Sequence, residues 1–304
     1  VLICRIWDTQ NKLLSFQFPL KLTLLSSADA PADSLTAVFA VTGEIPALHT
    51  IEAEHNGECI FSGYVDSQTR QVTSKGDLLT IAARSKACLL LDNEALPQTY
   101  SMVSMPILME RHFRPLGFDR FAGSDKAFDD ELTVTKGMSE WAVLTSFCRK
   151  FLHTSPFVRH DGVIDVSGDR EEICCLSTRE CLSVKHTLKR CQPLSDIIVR
   201  AARSDGYVMP FHSPLAETLH IRRRRYLNAA DSAALSAASA QELLDRADNQ
   251  YEQLELELAG GMFAPVGSAL SIDTDDKPYL LRERCYTLSE HGEVTKLYAE
   301  VKYH

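Results

Sequence analysis

The sequence lacks any apolar run of the roughly 20 residues that a membrane-spanning helix needs. Its longest candidate, Ala87 to Leu91, is broken by Lys86 and Asp92. No charged-then-apolar leader precedes a small-residue cleavage site. Basic charge is also scarce, with 32 Lys and Arg against 41 Asp and Glu, a net charge of -9. A whole-protein basic footprint for nucleic acid is therefore absent. Only two tryptophans, Trp7 and Trp141, are present, too few for the aromatic platforms of a sugar cleft. Nine cysteines is an odd number, and no paired CxxC knuckles occur. Their scatter, even around Cys174, Cys175, Cys181 and Cys191, points to reduced thiols made in a cytoplasm rather than to a zinc knuckle.

Catalytic signatures are missing too. There is no GxSxG elbow, Walker loop, GxGxxG or HExxH. Asp273, Asp275 and Asp276 begin like a calcium loop, but the glycine and terminal glutamate are out of place, and a solvated turn is expected. Asp129, Asp130 and Glu131 offer paired carboxylates of the sort glycan hydrolysis uses, in a polar loop where acidic clusters are common. No cofactor and no metal are expected, and the chain is read as not an enzyme.

What is present is β-patterning in 304 residues with 45% hydrophobic and 24% charged composition, ordinary for a globular chain. Strands are expected over Leu13–Leu25 and Ser34–Val41. A hairpin is expected over Thr50–His55 and Glu58–Asp66 around Asn56-Gly57, because both turn positions accept positive φ. Lys75-Gly76 turns into a further strand, with Leu79, Ile81 and Ala83 on one face. Residues 93–170 change character. Ser104 caps a short helix carrying Met105, Leu108, Met109 and Phe113, ended by Pro115 and Gly117. Residues 118–130 read as a polar loop. Ser139 caps a second helix with Trp141, Leu144, Phe147, Cys148 and Phe151 at helical spacing. A hairpin follows at Asp161-Gly162. From 171, strands return at Leu182–Leu188, Ile197–Ala202 and Leu254–Leu258. Asp231 caps a helix near 231–251, and a last hairpin pivots at His291-Gly292. Ala82-Ala83-Arg84-Ser85 is echoed by Ala201-Ala202-Arg203-Ser204, a hint of two related β-domains.

Arg222, Arg223, Arg224 and Arg225, followed by Tyr226, form the one marked basic run. Two readings stay open: a grip on phosphate or a nucleic-acid base, and pairing with acidic neighbours or another subunit. Phe118, Phe121, Phe128, Tyr207 and Phe211 lie in expected loops, as core or interface anchors or as a receptor-binding surface.

Several short motifs occur together in a particular order. Gly63-Tyr64-Val65-Asp66 is followed by Ala83-Arg84-Ser85 and then by Leu89–Leu91 with Asp92. Pro115–Phe118, the helix Glu140–Phe151, the turn at Asp161-Gly162 and the ending Ser289–Leu297 come after. This order resembles the late control protein D and Mu-like baseplate hub family of contractile phage tails. That family's strands read G-x-V-D and G-R-S with a following L-x-D; here Ala83 replaces the glycine before Arg84. The resemblance implies a mainly β fold with an α+β insert: two tail-tube-like antiparallel β-barrels joined by a small α+β domain. The corresponding division is 1–92, 93–170 and 171–304, with the 231–251 helix flanking the second barrel. It implies a structural hub: a homotrimer whose ring adapts a sixfold tail tube to a threefold spike. Its partners would be the tail tube protein, the spike protein and other baseplate proteins, with non-specific DNA passage through the lumen and no membrane-embedded segment. Its place would be the virion tail or a tail-like particle assembled in the host cytoplasm. Arg84, Arg203 and Arg222–Arg225 are the candidate interface or structural residues. The competing functions are a tail-tip receptor or carbohydrate-binding module and a tail-associated cell-wall hydrolase.

Overall fold

The computed structural model describes residues 1–14, 16–74, 76–168, 173–200, 206–228 and 233–303, with side chains of 173 and 233–238 left aside. Lys75, Ala201–Ser204 with Arg203, and Asp231 lie outside the described residues, and with them the expected turn, echo and cap. The chain is mainly β, its long strands antiparallel, with a small helical insert. It forms two compact units: Val1–Arg170 with Gly260–Val266 and Glu283–Thr295, and Glu171–Ala259 with Gly267–Arg282 and Lys296–His304.

The first unit begins with six strands: β1 (Leu2–Asp8), β2 (Lys21–Ser27), β3 (Ser34–Val41), β4 (Leu48–His55), β5 (Glu58–Thr73) and β6 (Gly76–Ser85). They lie in the order β1-β4-β5-β6-β3-β2, all antiparallel. Glu283–Leu288 of a much later strand extends the row along β2. Period-2 alternation turns Ile6, Leu22, Leu24, Leu35, Phe39, Ile51, Ile81 and the late Tyr286 into one core. A row of seven strands can feed a single cluster from both ends only by curling round it. Asn56 and Gly57 both have positive φ (52° and 89°), as the tight hairpin requires.

The expected strand over Leu13–Leu25 is corrected: the regular strand starts at Lys21. Leu13 makes only an isolated bridge to Trp7, and the segment reaches β1 through Cys4 N–H to Gln17 O (2.7 Å) and Leu14 N–H to Ile6 O (2.9 Å). Pro19 lacks the N–H a continuous ladder needs.

The insert continues with α1 (Cys88–Asp92), β7 (Gln98–Tyr100) and α2 (Met105–Leu108), which widens into a π turn (Met109–Phe113) and tightens into a 3₁₀ turn (Arg114–Leu116). It stops at Gly117, φ 84°. Then come β8 (Phe121–Ala122), β9 (Leu132–Val134), α3 (Glu140–Phe147) with a π turn over Cys148–Leu152, β10 (Phe157–Val158) and β11 (Ile164–Asp165). Ser104 and Ser139 cap their helices, Oγ accepting from Ile107 N–H (3.4 Å) and Ala142 N–H (3.1 Å). The expected loop 118–130 is more than a loop. Phe118 is fully buried, β8 pairs with β11, and Val103 bridges Phe128. Its three phenylalanines outweigh its polar residues by docking on the insert's core. Inside that core His112 bridges Glu140 Oε2 (2.7 Å) and the Tyr100 hydroxyl (2.8 Å), joining α2's π turn to α3 and β7.

The second unit holds β12 (Ile173–Leu176), β13 (Cys181–Leu188), β14 (Asp196–Arg200), β15 (Tyr207–His212), α4 (Pro214–Thr218), β16 (Arg224–Leu227), α5 (Ala233–Asn249), β17 (Glu252–Ala259) and β18 (Ala269–Ile272). The hairpin of β19 (Asp275–Ser289) and β20 (Gly292–Val301) contributes to both units. β13 and β17 are antiparallel, and Leu254, Leu256 and Leu258 are buried as the alternation predicts. β12 pairs with β18 in parallel. A separate sheet, β15-β14-β16, packs Ile197 and Val199 against Ala240 and Leu244 of α5.

Candidate assembly surfaces

The motif residues of the first unit converge. Arg84, near the end of β6, donates from Nε and Nη2 to Asp66 (2.7 and 2.9 Å) and from Nη1 and Nη2 to Asp92 (3.1 and 2.7 Å). One guanidinium thus grips two carboxylates, each through both of its oxygens. These hydrogen bonds, Asp66 first, raise Arg84 further above its already high pKa, and Arg84 holds Asp92 below the usual carboxylate range. Gly63 explains itself at the same place: a Cβ there would lie 2.1 Å from the Arg84 carbonyl oxygen. Only glycine lets β5 approach β6 where the register shifts between Val65 and Ser67. Ser85 completes the knot, its N–H donating to Asp33 O (2.9 Å) and its Oγ accepting from Asp33 N–H (3.0 Å). Arg84 ties β5, β6 and α1 within one chain, and spacing alone did not reveal its two acceptors.

Beyond Tyr64, β5 leaves β4 behind. Residues Ser67–Thr73 pair with β6 on one side, after Asp66 in the register shift, and all eight of Asp66–Thr73 are exposed. Among the described residues the other edge meets no strand. The Gln68 side chain ties it to Leu48 N–H (2.7 Å) and Pro46 O (3.0 Å). This is an open row of backbone donors and acceptors.

The basic run is split by β16. Arg224 and Tyr226 share the sheet face of Asp196 and Ile198, while Arg225 and Leu227 share that of Ile197 and Val199. Arg224 lies 3.8 Å from Asp196, which also accepts from Ser195 Oγ (2.8 Å) and meets His212 Nδ1 at 2.8 Å. Those partners, Ser195 first, hold Asp196 below the ordinary range. Arg223 acts through its backbone, exchanging hydrogen bonds with Ser195. Arg222 and Arg225 are exposed and make no ion pair among the described residues. Tyr207 and Tyr226 stack edge-on at 5.2 Å on the same open face, with Val208 beside them 62% exposed.

The remaining candidates separate. None of the nine cysteines forms a disulfide, and burial pushes Cys4 and Cys148 up to about 12. Asp130 pairs with Lys150, and Asp129 and Glu131 are exposed beside it. Of the aromatics singled out, Phe118, Phe121 and Phe128 belong to the insert's core. Among the described residues His186, Glu252 and Asp275 form one group able to hold a metal ion. No described helix is long and apolar enough to cross a membrane.

No family model matches the chain, and no curated protein matches its sequence. Solved structures do match. The 43 kDa tail protein of prophage MuSo2 from Shewanella oneidensis superposes with a TM-score of 0.80 at 11% identity, over 98% of this chain and 97% of that one. A tail protein from Neisseria meningitidis MC58 gives 0.77 at 16% identity, covering 98% and 95%. The E. coli c3393 protein, a type VI secretion component similar in structure to the T4 tail proteins gp27 and gp5, gives 0.62 at 11% identity, covering 99% and 77%. At these identities the likeness is one of fold. The chain has the fold of these phage tail proteins.

Proposed function

We propose that this chain is a structural hub subunit of a contractile phage tail or related injection particle, and that it works without catalysis. One observation carries the reading: the fold of tail proteins extends over 98% of the chain and over nearly all of the two tail proteins it matches. Three copies would close a ring that adapts a sixfold tube to a threefold spike, with tube, spike and other baseplate proteins as neighbours. The open edge of β5 supports this, because unpaired strand edges template pairing with another chain. An acidic net charge of -9 suits a lumen through which nucleic acid slides without sticking. The particle would assemble in the host cytoplasm and reside in the virion tail. A receptor-binding role would draw on the exposed Tyr207–Tyr226 pair, which lies on an open sheet face.

Light scattering after size exclusion, followed by negative-stain imaging, tests the reading. The expected species has three chains and a central opening, alone or on addition of the cognate spike protein. A chain that stays monomeric with tube and spike proteins present refutes it.

A further inference from the structure

The second unit carries a cluster that the hub reading does not use. His186 on β13, Glu252 at the start of β17 and Asp275 at the start of β19 bring one ligand atom each within 4.8 Å of one another. Strand geometry makes the first two neighbours. Glu252 lies opposite Leu188 and His186 opposite Leu254, so they share a face two residues apart along an antiparallel pair. Both carboxylates are held from behind. The Tyr303 hydroxyl donates to Glu252 Oε2 (3.1 Å), and the Tyr279 hydroxyl donates to Asp275 Oδ2 (2.9 Å). The Lys277 N–H donates to Asp275 Oδ1 (2.7 Å). The His186 side chain makes no hydrogen bond or ion pair among the described residues, so an imidazole is left over beside two oriented carboxylates. One cation already answers their charge: the Lys277 ammonium bonds Glu252 Oε1 and lies 3.9 Å from Asp275 Oδ2. Its side chain is 48% exposed, so the ammonium can swing into water without opening the core.

We propose that His186, Glu252 and Asp275 form a binding site for a divalent transition-metal ion of the zinc type, which displaces the Lys277 ammonium. One imidazole nitrogen and two carboxylate oxygens match the borderline ligand set of zinc. Calcium and magnesium favour six or more oxygen ligands, which this site does not supply. Tyr279 and Tyr303 act as the outer partners that fix ligand orientation. The bound ion would clamp β13, β17 and the start of β19. This inference is independent of the hub reading.

Calorimetric titration of the full-length chain, reduced and stripped with chelator, tests it with zinc chloride and, as contrast, magnesium chloride. The expected result is one zinc site per chain, no magnesium site, and loss of the zinc site in His186→Ala. That residue is exposed, and circular dichroism checks that the variant folds. Tyr303→Phe should weaken zinc by about tenfold, and Lys277→Met should tighten it by removing the competing ammonium. No stoichiometric zinc uptake overturns the proposal. So does uptake that His186→Ala leaves unchanged, which would belong to thiols elsewhere.

Discussion

Arg84 shows how much one side chain organises when its acceptors come from different elements. Asp66 follows the close approach at Gly63, Asp92 ends α1, and both present their two oxygens to one planar fork. The order of motifs made the participating residues legible, but not their contact. Spacing of 18 and 8 residues says nothing about which strand doubles back on which helix. The His112–Glu140 pair was illegible for the same reason, lying 28 residues apart in two separately readable helices. Replacing Arg84 with Gln keeps a donor but removes the paired charge-assisted bonds. It should cost about 1 kcal/mol, a network value discounted for partial exposure. The cost has a sign in pH. Asp92 is held below the carboxylate range when folded, so its share is present above an unfolded pKa of about 3.9 and fades as pH falls through the lower folded value. Urea midpoints of wild type and Arg84→Gln should therefore converge as pH drops from about 5 toward 3. A gap that widens on acidification would show that the Asp92 contact contributes nothing.

Among the elements, those announced by local chemistry were readable and those made by distant pairing were not. Asn56-Gly57, Asp161-Gly162 and His291-Gly292 all turn hairpins, and Ser104 and Ser139 both cap helices, because each signal lies within a few residues of its effect. The parallel pairs β12–β18, β14–β16 and β8–β11 carry no such local mark. Nor did the length of β5 stand out. All but Val72 of its last eight residues are polar, and the expected strand ended at Asp66, yet β6 holds the stretch extended. That stretch is the element on which ring closure would depend. Val72 is 70% exposed there, so Val72→Lys should leave the unfolding midpoint within about 0.5 kcal/mol of wild type. An edge lysine opposes pairing with another strand. The variant should therefore lose the three-chain species in light scattering while its folded monomer is unchanged. Full assembly of Val72→Lys would remove β5 from the interface.

Across the whole molecule, chain order and compact units disagree. The first unit takes most of its residues from 1–170, but it is completed by 260–266 and 283–295. Those late segments are structural members. Tyr286 is fully buried in the core that β1–β6 build, and residues Glu283–Leu288 pair with Ser27–Leu22 along β2. Arg284 is buried beside them, its Nη2 donating to Ser26 Oγ (2.8 Å) and its Nη1 to Ala264 O (2.9 Å), with its guanidinium over the Phe263 ring. A fragment ending at residue 170 would open the edge of β2, lose a core tyrosine and leave Ser26 without its arginine. Removing a large buried aromatic alone costs about 3–5 kcal/mol, a large part of a domain's usual 5–15. The fragment 1–170 should therefore unfold at lower urea than the first unit does in the intact chain, or aggregate through its bare edge. Fusing residues 260–295 to it through a flexible linker restores the missing strand and should recover the midpoint. A bare fragment as stable as the intact protein would mean that the late hairpin only decorates the unit. Such covalent interlacing also explains why the first 92 residues, read alone, look like a complete β-domain. Their alternation is intact, and the missing partner enters from nearly two hundred residues away.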